Sequence, residues 1–174
     1  FDTSSDTLEY ADLALDDHAF YQAIVCATRC SEELGIGSPS AIAVESFLSS
    51  FSLRRINAYA FPDYDLGLNL DSSGEVGGDT LSLTAAGSAA FPYLDGDIPI
   101  DDFTYGYYGS VINPATFETY ATGPDDATVL GVFQNPVGFE EMVMTVDGNQ
   151  YQTQSLLLRH GMLSWVTKGV FLGY

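Results

Sequence analysis

The residues able to do chemistry are few. His18 and His160 are the only histidines, Cys26 and Cys30 the only cysteines, and the basic residues are confined to Arg29, Arg54, Arg55, Arg159 and Lys168. A nucleophile needs an oriented base, yet no Gly-x-Ser-x-Gly elbow occurs and neither cysteine has an evident activating partner. His160, between Arg159 and Gly161, reads as a turn between strands, with Arg159 reaching a carboxylate. The four-residue cysteine spacing would place both thiols one turn apart on a helix, but a structural zinc requires four ligands. His18 lies about 12 Å from Cys26 along a helix axis, too far to join them. Buried inert thiols are expected. Paired carboxylates could hydrolyse a glycosidic bond, and eight glutamates are present. Glu32-Glu33 and Glu140-Glu141, however, are sequence neighbours, and strand neighbours point to opposite faces. Glu75 and Glu118 stand alone. No catalytic residue is assigned.

One stretch has the letters of a metal loop. Asn69-Leu70-Asp71-Ser72-Ser73-Gly74-Glu75-Val76 resembles the first part of an EF-hand calcium loop, with oxygen side chains at alternate positions and glycine at the sixth. The twelfth position is Thr80 rather than glutamate, with Asp79 just before it. Asn69, Asp71, Ser73, Glu75 and Asp79 are thus candidate calcium ligands. An ordinary Asp-Ser-Ser-Gly turn accounts for the same residues. No other cofactor is implied, and none is required.

Tyrosine and phenylalanine are the remaining signal. In Tyr105-Gly106-Tyr107-Tyr108-Gly109 adjacent tyrosines must face opposite sides of a strand, so one side is presented outward. Large aromatics supply core, interfaces or sugar-stacking surface. Tyr105, Tyr107, Tyr108, Trp165 and Tyr174 are the candidate interface residues, for subunit packing or carbohydrate contact.

Elements that must position these residues follow from periodicity. Phe20, Ala23, Ile24, Ala27 and Cys30 recur at helical spacing from Asp17 to Leu34, closed by Gly35. Ser38-Pro39 is an N-cap and first-turn pair, after which Val44, Phe47, Leu48 and Phe51 form a helical stripe. Beyond Arg55, segments 56–61, 65–70, 80–85, 103–111, 116–121, 127–134, 142–146, 150–158 and 162–172 are short and rich in Val, Leu, Thr, Tyr and Phe. Gly, Pro, Asn and Asp clusters separate them, and Asp147-Gly148-Asn149 reads as a hairpin turn. The tract 70–79 reads as a loop. The expected class is α+β, with two N-terminal helices packed on a mainly antiparallel β-sandwich or barrel. Residues 1–174 form one expected domain, helical over about 17–54 and β-rich over 56–174.

Composition sets the environment. With 174 residues, 46% of them apolar, the chain can bury a sizeable core. It carries 24 acidic against five basic residues, a formal charge of -19, so nucleic acid is repelled. No run of about 18 apolar residues occurs, and no membrane span is expected. Such acidity suits salt-adapted or ordinary acidic extracellular proteins alike. Without a catalytic motif, the leading expectation is a non-enzymatic structural subunit of an extracellular or virion assembly, or of a cell surface. Its partners would be its own copies or other structural proteins, packed through aromatic β surfaces. Two alternatives stand beside it: a calcium-assisted glycan- or surface-binding domain, and a small hydrolase.

Overall fold

Ser38 caps its helix as its residue type requires: its hydroxyl accepts from the Ala41 amide at 3.1 Å, and helix α2 then runs Pro39–Ser50. In the computed structural model, which describes residues 7–169, this is the one N-terminal helix of the expected pair. The segment 17–34 is not a helix. It contains the end of a small hairpin, β1 (Ala14–Leu15) with β2 (His18–Ala19), then strand β3 (Ala23–Cys26) and a single turn, α1 (Cys30–Glu33). The β-branched pair Ile24-Val25 favours the strand, and β3 lies parallel to β4 (Arg54–Asn57). Cys26 and Cys30 form a disulfide across the turn between β3 and α1, in place of the expected free thiols.

The remaining strands are β5 (Leu68–Glu75), β6 (Thr80–Leu83), β7 (Ile98–Pro99), β8 (Tyr105–Val111), β9 (Phe117–Thr122), β10 (Thr128–Gln134) and β11 (Glu140–Met144). With β3 and β4 they curl into a nine-stranded half-barrel whose main path is β3-β4-β11-β10-β9-β6-β7. The pairs β3-β4 and β4-β11 are parallel and the rest antiparallel. Strand β8 joins beside β10 and carries β5 on its other edge. The fold is therefore mixed α/β with four short helices around a curled sheet, rather than two helices on a sandwich.

Helix α4 (Thr153–Val166) replaces the two strands expected over 150–158 and 162–172. The reason is visible in its packing: Leu158, Met162 and Trp165 are buried at helical spacing. Gly161 allows the close approach, because a Cβ there would sit 2.2 Å from the Phe91 ring. Asp147-Gly148-Asn149 consequently leads into a helix and not into a hairpin. His160 and Arg159 lie on that helix, and Arg159 donates to the Gly148 carbonyl at 2.6 Å, not to a carboxylate. Helices α4 and α3 (Ala85–Ala90) cover one face of the sheet, where Ile56, Phe91, Leu130, Met142 and Met144 form the largest core cluster. Val44, Phe47, Leu48 and Phe139 form a second cluster under α2. A third gathers Leu66, Leu68, Phe117, Phe133 and Val143. None of the helices among the described residues is long and apolar enough to cross a membrane.

Candidate functional site

Strand β8 alternates as a strand must, and that alternation builds the site. Gly106 and Tyr108 face inward, and the Tyr108 hydroxyl donates to Asp79 at 2.7 Å. Burial first, and then that bond to a carboxylate, raises the Tyr108 pKa above its ordinary value. Tyr105 and Tyr107 face the other way. The segment after β4 runs beside β11, its Ala60 amide donating to the Met144 carbonyl at 2.8 Å. Ala58 and Ala60 are buried while Tyr59 and Phe61 alternate outward to meet the β8 tyrosines.

Four rings result, clustered around Tyr107. Tyr59 stacks on it with centroids 5.6 Å apart and planes at 20°. Phe61 meets it edge-on at 5.1 Å and Tyr105 edge-on at 5.6 Å. Phe61 and Tyr105 remain 47% and 44% exposed, which is unusual for rings that could bury most of their area. Directly opposed residues share a sheet face, so the β5 partners Ser73, opposite Tyr107, and Glu75, opposite Tyr105, lie along one side of the cluster. On the other side the Asp147 amide donates to the Tyr105 carbonyl at 2.8 Å. Burial, the hydrogen bond with Tyr107 and the nearby Asp147 charge, in that order, raise the Tyr59 pKa. The face combines flat apolar surface with hydroxyl and carboxylate groups at its margins.

The basic residues are used elsewhere. Arg55 donates to Glu141 at 3.0 and 2.7 Å, and Glu141 also accepts from Asn57 and Asn135, each at 2.8 Å. Arg54 pairs with Glu140 at 2.7 Å and lies over the Trp165 ring. The two neighbouring glutamates thus point to opposite faces of β11. Arg29 pairs with Asp63 and Asp65, and Lys168 donates to the Ser52 carbonyl. None of these contacts reaches the tyrosine face.

The other sequence-derived candidates are dispersed. Asn69, Asp71, Ser73 and Glu75 lie along the continuous strand β5 rather than in a loop. At about 3.3 Å per residue they spread over roughly 20 Å, too far to surround one ion. Asp79 accepts from Tyr108 on the inner side. Among the described residues no group of three or more His, Cys, Asp or Glu side chains is placed to hold a metal. Of the proposed interface residues, Tyr105 and Tyr107 are on the open face, but Tyr108 and Trp165 are buried inside the molecule. Tyr174 lies outside the described residues. Tyr59 and Phe61 were not singled out from sequence, although the alternation Ala58-Tyr59-Ala60-Phe61 was a usable signal.

The chain matches no family model and no curated protein sequence. Its fold does match a solved structure. Agd3, described as a novel carbohydrate deacetylase, superposes on 99% of this chain with a TM-score of 0.79 at 14% sequence identity. The match takes up 28% of Agd3, so this chain spans little more than a quarter of that protein's length. What the two share at this identity is the fold. The finding overturns the expectation of a structural subunit of an assembly, because this fold occurs inside a carbohydrate-modifying enzyme. The aromatic residues tell against that expectation too, since Tyr108 and Trp165 are spent on the protein's own core.

Proposed function

We propose that this chain is a carbohydrate-engaging domain of a larger carbohydrate-modifying protein, and that the tyrosine face on β8 contacts the polysaccharide. The observation that carries this is the partly exposed cluster of Tyr59, Phe61, Tyr105 and Tyr107. A pyranose ring offers an apolar C–H face and a rim of hydroxyls, which suits flat aromatic surface bordered by polar groups. Ser73, Glu75 and Asp147 supply that border and can accept hydrogen bonds from sugar hydroxyls. Stacked nucleic acid bases would suit the rings equally, but a formal charge of -19 opposes a polyanion. The likeness to Agd3 favours carbohydrate over other flat ligands.

The test is depletion from solution by insoluble chitin, cellulose and chitosan, with titration of the corresponding soluble oligosaccharides. Binding to at least one polymer is expected, weakened about tenfold or more in Tyr105→Ala/Tyr107→Ala, a change of roughly 1.4 kcal/mol or more. Equal binding by the folded double variant would remove the tyrosine face from the account.

A further inference from the structure

A second opening in the surface is built from a different set of residues. Its wall begins with the short 3-10 turn Tyr64–Leu66, which follows Asp63; the Asp63 side chain accepts from the Asp65 amide at 2.7 Å. Leu66 is anchored in the core and Asp65 is tied to Arg29 at 3.3 Å. Tyr64, just before these anchors, is left 79% exposed. Opposite stand the β8-β9 connection, with Asn113, and the end of β10, with Gln134, where it enters the β10-β11 turn at Asn135. Together they enclose a cleft of about 390 Å³, within the range of roughly 300–1,000 Å³ usual for small-ligand sites. Gly67, at φ +75°, lies against the Phe133 ring at its floor, where a Cβ would come within 2.8 Å of that ring.

The polar groups around this cleft are held in place and only partly used. Asn135 donates to Glu141 at 2.8 Å and accepts from the Val137 amide at 3.0 Å, which ties the rim to the buried Arg55-Glu141 network. The Asn113 side-chain oxygen Oδ1 accepts from the Ala115 amide at 3.0 Å, and its Nδ2 has no protein partner among the described residues. Gln134 donates through Nε2 to Glu140 at 3.0 Å, and its Oε1 has no partner among the described residues. The cleft is therefore lined by an amide donor, an amide acceptor and a flat phenol that the protein's own bonds leave free among the described residues. No lysine, arginine or histidine lines it, so a phosphate or sulfate would meet no countercharge. Its one carboxylate, Asp65, is already paired with Arg29.

We infer that this cleft is a second carbohydrate site, which takes one neutral pyranose ring against Tyr64 with Asn113 donating to it and Gln134 accepting from it. The inference rests on the carbohydrate reading above for its ligand class, but none of its residues belongs to the tyrosine face. Two sites on one domain raise affinity for a polymer over that for a single sugar, through effective concentration.

Saturation-transfer NMR separates the two surfaces, using glucose, galactose, N-acetylglucosamine and N-acetylgalactosamine as single-ring probes. The variants are Tyr64→Ala, at a largely exposed position, and Asn113→Asp, which keeps the oxygen bonded to Ala115 but replaces the donor. At least one sugar is expected to show transfer, with an affinity from its titration weakened about tenfold in both variants, or roughly 1.4 kcal/mol, and retained in Tyr105→Ala/Tyr107→Ala. Transfer that survives Tyr64→Ala and disappears with the tyrosine-face variant overturns the second site and leaves the first standing. If the wild-type protein binds neither single sugars nor any polymer, both readings fall together.

Discussion

The two faces of β8 use the same residue type to opposite ends. Tyr108 points inward, buried, with its hydroxyl satisfied by Asp79. Tyr107, its neighbour, points outward into a cluster that leaves Phe61 and Tyr105 nearly half exposed. Trp165 and Phe91 resemble Tyr108: they fill the space between sheet and helices. Burying a large ring contributes about 1.5–3 kcal/mol, so rings left in water are not serving stability. Covered rings hold the fold, and open rings are available to a ligand. This difference is what the sequence expectation of aromatic packing between copies had merged.

The contrast can be attacked from its strong end. Trp165→Ala should cost about 3–5 kcal/mol, read as a shift in urea midpoint at unchanged slope, because it empties the space under α4 and removes the ring beneath Arg54. A loss below 1 kcal/mol would mean the covered side is less tightly packed than its burial implies. Tyr108→Phe should cost about 1 kcal/mol by removing the bond to Asp79, and a stabilised variant would show that bond to be unfavourable.

Acid sensitivity sharpens the covered side further. Burial pushes the Glu140 pKa up, but hydrogen bonds from Gln134 and Arg54 and the Arg54 charge outweigh it, so the net value lies below the ordinary 4.5. A carboxylate held low in the fold stabilises it above its unfolded value, and that contribution disappears as pH falls through the folded one. Wild-type protein should therefore exceed Glu140→Gln in stability at neutral pH, with the gap closing below pH 4.5. A gap that persists unchanged into strong acid would detach Glu140 from the titration. Smallest of all, Tyr105→Ala should change stability by within about 0.5 kcal/mol. A loss comparable to that of Trp165→Ala would show that the open face is part of the core after all.

Local chemistry was legible wherever one element could be read by itself. Ser38-Pro39 announced α2, the cores of β6, β8, β9 and β10 lie within the segments expected as strands, and β11 overlaps its expected segment only over Met142–Met144. Opposite faces for Tyr107 and Tyr108, and for Glu140 and Glu141, followed from the period of a strand. Misreadings arose where short apolar runs fit two periods. Phe20 to Cys30 satisfied a helical stripe, yet parallel pairing with β4 drew Ala23–Cys26 into the sheet. Segments 150–158 and 162–172 looked like two strands by composition, yet Leu158, Met162 and Trp165 were spaced for one helix face. The Asp-Ser-Ser-Gly tract looked like a loop by its residues, but it lies inside β5, whose seven pairings with β8 run from Leu68 to Glu75 with a register shift at Asp71.

The site was half visible. Tyr105 and Tyr107 could be proposed from one strand, whereas Tyr59 and Phe61 join them from a segment more than forty positions earlier in the chain. Asn113 and Gln134 carry no motif at all, and only the convergence of two connections with the end of β10 makes them neighbours of Tyr64.

Composition and period alone settled that this is an acidic, aromatic, β-rich chain, because charge and alternation are properties of residues and of their nearest neighbours along the backbone. Which rings stay in water was decided by the curled sheet and by the placement of α4, because exposure depends on what distant segments cover. Long-range pairing and packing, unlike period, leave no local signature to read.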